Sequence, residues 1–112
     1  KKILAGAIEE GTGKLAKVEG FSAGGKTGTA QKLEPNGAYS HNKFVASFIG
    51  FAPLEDPVIA IAVVFDEPRP YYFGGVVAAP VFKNVAGEAL RYLRGKQSIN
   101  EVMALNETTT VN

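Results

Sequence analysis

The sequence predicts an α+β fold, a three-stranded antiparallel sheet with flanking helices. A helical apolar pattern opens the chain and a longer one follows its last strand. Between them lie two strongly apolar stretches, residues 43–52 and 58–65, with a weaker extended stretch before them. The link between the apolar stretches, residues 53–57, is far shorter than the dozen or so residues a parallel crossover takes, so the pair is antiparallel. With 112 residues and 46% apolar composition, the chain is one small unit near the low end for a self-sufficient core.

The first helix, residues 2–10, places Ile3, Leu4, Ala7 and Ile8 on one face, and Gly11 serves as its stop. Gly11-Thr12-Gly13 is a turn, and residues 18–33 are weakly extended and rich in Gly and Thr. Glu34-Pro35-Asn36-Gly37 is the clearest turn signal. Residues 43–52 offer Phe44, Val45, Phe48, Ile49 and Phe51 to both faces of a strand. Residues 58–65 are eight consecutive apolar residues, five of them β-branched, which predicts a buried central strand. After a Pro-, aromatic- and Gly-rich loop, Val77, Val81, Phe82, Val85, Ala89 and Leu90 follow helical spacing, with Pro80 in the first turn and Gly95 as the stop. Ser98-Ile99-Asn100-Glu101 reads as a capping box for one further short turn, and residues 106–112 as a frayed polar tail. Ile3, Phe48, Ile61, Val63, Val81, Phe82 and Leu90 are expected in the core.

Composition excludes several functions. A net charge of +1 leaves no electrostatic footprint for nucleic acid or an anionic membrane. The chain has no cysteine, hence no disulfide framework or thiolate metal site; no metal-ligand cluster is evident and no cofactor is expected. Its longest apolar run is too short to span a bilayer. Lys1 rather than Met begins the chain and no signal peptide heads it, so we expect a piece of a longer protein.

The glycine-rich segment satisfies two motifs at once. Residues 20–27 fit the phosphate-loop pattern G-x-x-x-x-G-K-[ST]. That cradle needs a buried strand before it and a helix beginning at the Lys-Thr, and here a polar stretch precedes and Gly28-Thr29 follows. The other reading is K-T-G, in which a strand at the rim of a cleft offers a lysine charge and a hydroxyl to an anionic substrate, with a glycine that lets the substrate backbone lie close. Lys26, Thr29 and Gly28 supply these. Ser40-His41-Asn42-Lys43 formally fits S-x-x-K and S-x-N, but it lies between a turn and a strand, where nothing fixes a Ser–Lys contact, and reads as a polar hairpin loop.

The surroundings of Lys26-Thr27-Gly28-Thr29 resemble the C-terminal part of the transpeptidase domain of class B penicillin-binding proteins. The likeness runs from residue 3 to about 94: Gly11-Thr12-Gly13 with Ala16, then residues 23–31, Phe48-Ile49-Gly50-Phe51-Ala52-Pro53, Val63-Val64-Phe65-Asp66-Glu67-Pro68, and Gly74-Gly75 followed by Ala78-Ala79-Pro80-Val81-Phe82. It implies a fragment of the β-lactamase/transpeptidase-like fold, with residues 1–97 the end of that domain and 98–112 a cap and tail. It further implies a parent peptidoglycan D,D-transpeptidase of division or elongation type. Such an enzyme is anchored at the extracytoplasmic face of the bacterial cytoplasmic membrane by a segment outside this chain.

By the same resemblance a serine attacks the D-Ala-D-Ala carbonyl of a stem peptide and is acylated by β-lactams. Lys26 and Thr29 are then the catalytic residues, and Lys26, Thr27, Gly28, Thr29, Tyr72 and Phe73 bind substrate. The nucleophile comes earlier in the family's order than this chain reaches, so the chain alone is expected to be inactive. Strict strand alternation separates Lys26 from Thr29, which predicts a twist or bulge at Gly28. The implied partners are the stem peptide, β-lactams and the rest of the transpeptidase domain. Alternatives are a D,D-carboxypeptidase, a serine β-lactamase or a β-lactam sensor, and a non-catalytic module that self-associates through an uncovered sheet.

Overall fold

The computed structural model describes residues 1–111, with side chains through Glu107. In chain order the elements are α1 (Lys2–Glu9), a 3-10 turn (Lys14–Ala16), β1 (Gly24–Leu33), β2 (Tyr39–Ala52), β3 (Ile59–Asp66), a short α2 (Gly74–Val77) and α3 (Ala79–Val111). The three strands form one antiparallel sheet in the order β1-β2-β3, as expected. The β1–β2 hairpin turns at Glu34-Pro35-Asn36-Gly37, where Gly37 N–H donates to Glu34 O at 2.9 Å and Gly37 has φ 84°. Only glycine takes that φ at little cost.

One sheet face is packed and the other is bare. Cross-strand register places Thr27, Phe48 and Val63 side by side on the packed face, beneath α1, α2 and α3. There Phe48 and Phe82 are fully buried with ring centroids 4.9 Å apart, and Ile8, Ala78, Ala79, Ala86 and Leu90 close around them. Small alanines let the helix approach the sheet closely, while the two rings fill the space between. The opposite face carries Lys26, Ile49 and Ala62 in one row and Gly28, Ser47 and Val64 in the next. Ile49 is 61% exposed and Val64 64%.

Several expectations are corrected. Residues 58–65 are not a central strand: β3 is an edge, and only Ile59, Ile61 and Val63 reach the core, since every second side chain points to the bare face. Ile3 is 87% exposed, because α1 meets the body through Ile8 at its other end. Val81 is half-buried rather than core. Strand β2 begins at Tyr39, so Ser40 lies in a strand rather than a loop. Gly95 does not stop the last helix. Helix α3 runs on as far as Val111, and Ser98 Oγ donates to Arg94 O at 3.1 Å in its interior instead of capping a new turn. A mid-helix glycine costs only about 1 kcal/mol against alanine, which the flanking Arg, Lys and Gln tolerate. The expected tail is therefore helical, and its last residue, Asn112, lies outside the described residues.

Two polar clasps tie the sheet together. Ser22 Oγ donates to the Glu55 carboxylate and accepts from Leu54 N–H at 2.9 Å, joining the lead-in of β1 to the β2–β3 turn. The hydroxyl's hydrogen bond holds Glu55 below the usual carboxylate range. At the other end Lys32 Nζ spans β2 to reach Asp66 at 2.9 Å and Glu67 at 3.0 Å, and these hydrogen bonds, Asp66 first, raise its pKa.

Candidate active site

Strand β1 is the free edge of the sheet at Lys26-Thr27-Gly28-Thr29. No helix begins at Lys26-Thr27, so the phosphate-loop reading has no amide cradle here. Register between β1 and β2 is unbroken from Gly24 to Gln31, and the irregularity lies between Gln31 and Leu33. The expected bulge at Gly28 is therefore absent. Lys26 leaves the bare face and curls around the open edge by its own length: its Nζ donates to Thr27 O at 3.0 Å and to Thr27 Oγ1 at 3.4 Å. A long flexible side chain achieves what a bulge would have done.

Thr27 and Thr29 share the packed face, two residues apart, and their hydroxyls are anchored differently. Thr27 Oγ1 lies 3.0 Å from Thr12 Oγ1, across fifteen residues of sequence. Thr29 Oγ1 accepts from Gly74 N–H, at the start of α2, at 3.0 Å. That contact needs glycine at 74: an added Cβ would fall 2.3 Å from Ser47 O and 2.6 Å from Gly28 O. Because Thr27 O faces the open edge, where Lys26 reaches it, the two-residue period of the ladder turns Thr29 N–H to that edge too. Gly28 packs against β2, where an added Cβ would lie 2.6 Å from Ser47 Oγ.

A cleft of about 360 Å³ opens beside these hydroxyls, lined by Thr12, Lys14, Thr27, Thr29, Phe73 and the first residues of α2. Its lining offers three hydroxyls and a lysine, and no carboxylate. The aromatic pair divides. Phe73 is 57% exposed and walls the cleft, whereas Tyr72 stacks on Phe44 of β2 with centroids 4.0 Å apart and planes 8° from parallel. Tyr72 therefore holds the loop to the sheet and positions Phe73, whose ring lies 4.7 Å from its own.

Sequence reasoning missed Thr12 and Gly74 as site residues. Each reaches the motif strand from a distant segment, so no spacing pattern signals it. Ser40 is 2% exposed, with its Oγ donating to Asn42 Oδ1 and accepting from the Lys43 amide, while Lys43 Nζ lies 3.6 Å from Glu34. Ser40 and Lys43 thus form no nucleophile–base pair. Among the described residues no group of three or more His, Cys, Asp or Glu converges on a metal position, and no helix is long and apolar enough to cross a membrane.

Comparison with known proteins places this geometry. Residues 1–87 match the family model of the penicillin binding protein transpeptidase domain. The chain is 52% identical over 84 residues to a probable peptidoglycan D,D-transpeptidase PenA of Neisseria gonorrhoeae, covering 74% of this chain and 14% of that protein. It is 43% identical over 112 residues to stage V sporulation protein D of Bacillus subtilis, covering 96% of this chain and 17% of that one. The transpeptidase domain of Burkholderia pseudomallei penicillin-binding protein 3 superposes with a TM-score of 0.73 at 42% identity, over 82% of this chain and 28% of that one. Penicillin-binding protein 3 of Mycobacterium tuberculosis complexed with ampicillin gives 0.74 at 32% identity, over 82% and 23%. The chain thus spans about one seventh to one sixth of the length of these two curated relatives, and the match over residues 1–87, with the identity to them, makes it a member of the penicillin-binding protein transpeptidase domain family.

Proposed function

We propose that this chain forms the ligand-binding edge of a serine D,D-transpeptidase that cross-links peptidoglycan stem peptides and is acylated by β-lactams. Residues 1–97 are then the C-terminal segment of its transpeptidase domain. The observation that carries the reading is the Thr29 hydroxyl. It accepts the Gly74 amide, so its single proton is left to donate into the cleft. A terminal carboxylate, of a stem peptide or a β-lactam, is the acceptor such a donor suits. Lys26 supplies positive potential at the same edge, and Phe73 an aromatic wall.

The Thr29 amide, free at the edge, serves as one oxyanion-hole donor, an interaction worth about 3–4 kcal/mol where such a donor has been removed. The second donor and the serine nucleophile come from another part of the parent, since Ser40 is buried and tied to its own strand. The chain alone is inactive on this reading. The parent works at the extracytoplasmic face of the bacterial cytoplasmic membrane, held by an anchor elsewhere in its sequence, in division or elongation.

The test is Thr29→Val in the full-length parent. Losing a hydrogen bond to a charged ligand costs about 1.5–3 kcal/mol, so the second-order acylation constant for a carboxylate-bearing penicillin should fall about 10- to 100-fold. An unchanged constant would remove Thr29 from the site.

A further inference from the structure

Thr12 lies outside the K-T-G strand, on the turn between α1 and β1, yet its Oγ1 sits 3.0 Å from Thr27 Oγ1 and its side chain lines the cleft. The turn that carries it is held from two sides. Gly13 N–H donates to Ala7 O at 2.9 Å, and Gly75 packs so closely that an added Cβ would lie 2.3 Å from Thr12 O. Thr12 is therefore a fixed feature of the cleft wall.

The hydroxyl count at Thr27 decides what Thr12 does. An alcohol oxygen has one proton and two lone pairs. Lys26 Nζ, at 3.4 Å, occupies one lone pair of Thr27 Oγ1. If Thr27 gave its proton to Thr12, only a lone pair would be left to face an anion in the cleft, which repels. If Thr12 donates instead, both lone pairs of Thr27 are filled and its proton turns to the ligand, beside the proton of Thr29. Either oxygen can be the donor at this distance, so an anionic ligand selects the second arrangement.

We propose that Thr12 is a positioning residue for carboxylate recognition: its hydroxyl donates to Thr27 Oγ1, so that Thr27 and Thr29 together present two proton donors to the ligand's carboxylate. This rests on the reading of the cleft as a carboxylate site. It extends that reading to a residue fourteen positions before Lys26.

The experiment compares ampicillin with its methyl ester as acylating agents of the full-length parent, in wild type, Thr12→Val, Thr12→Ser and Thr29→Val. Loss of one orienting hydrogen bond corresponds to roughly 3- to 10-fold. Thr12→Val should therefore lower the acylation constant for ampicillin by about that factor and leave that for the ester within about 2-fold. Thr12→Ser should restore the ampicillin value. A Thr12→Val variant that loses activity equally toward acid and ester, or toward neither, overturns the proposal, since a merely structural threonine would not tell the two ligands apart. If Thr29→Val separates acid from ester while Thr12→Val does not, the role of Thr12 alone falls. If Thr29→Val fails to separate them, the carboxylate site itself falls, and this proposal with it.

Discussion

Gly74 shows how tightly single residues set this site. Its amide holds the Thr29 hydroxyl while its missing side chain lets α2 touch the backbones of β1 and β2. Gly74→Ala would drive a methyl into two backbone oxygens, neither of which can swing away as a side chain would. We expect α2 to be pushed from β1 and the Gly74–Thr29 bond to break. In the parent this should lower penicillin acylation about 10-fold or more, as loss of an orienting bond plus displacement implies. Acylation at the wild-type rate would show that the bond does not position Thr29. At this scale the motif was legible in sequence and its support was not. Lys26, Thr27, Gly28 and Thr29 are contiguous, whereas Thr12 and Gly74 meet them only through the fold. The same holds for Lys26 itself: strand alternation predicts the face its Cβ leaves from, not where four methylenes carry the ammonium.

Among the elements, those fixed by local signals are legible in the sequence and those fixed by neighbours are not. The hairpin turn, the antiparallel pairing of β2 with β3 and the helical spacing from Val77 to Leu90 depend on residues close in sequence, and the structure has all of them. Whether residues 58–65 lie centrally or at an edge depends on what flanks the sheet. An unbroken apolar run states only that both faces avoid water. Helix α3 makes the complementary point at Gly95. Its glycine reads as a terminus in the sequence, yet the helix continues. An added Cβ at Gly95 would meet nothing within 4 Å, and the residue is helical. Gly95→Ala should therefore stabilise α3 by about 0.5–1 kcal/mol, seen as greater helical circular dichroism and a higher Tm. Had Gly95 been a left-handed stop, alanine would lower both.

For the whole molecule the uneven coverage of the sheet matters most. The radius of gyration is 19.1 Å, against about 13 Å for a compact chain of this length, because α3 extends well past the sheet. From Arg91 to Glu107 that helix is exposed apart from contacts such as Arg94 over the Phe21 ring, 4.4 Å from its centroid. The bare face, with Ile49 and Val64, is an apolar surface that an isolated small domain seldom leaves in water. The 112-residue chain on its own should therefore self-associate. Light scattering at rising concentration is expected to show species larger than a monomer, and Ile49→Lys with Val64→Lys to reduce them. A monodisperse monomer throughout would show that the bare face is not adhesive.

On the proposed reading this segment holds the ligand's carboxylate and an oxyanion donor while the nucleophile lies elsewhere in the parent. Labelling with a fluorescent penicillin, followed by mass mapping of the adduct, is the decisive test of that division. The full-length parent should be labelled at a serine outside these 112 residues, and the 112-residue chain should remain unlabelled. A covalent adduct within the chain, at Ser40 above all, would contradict it.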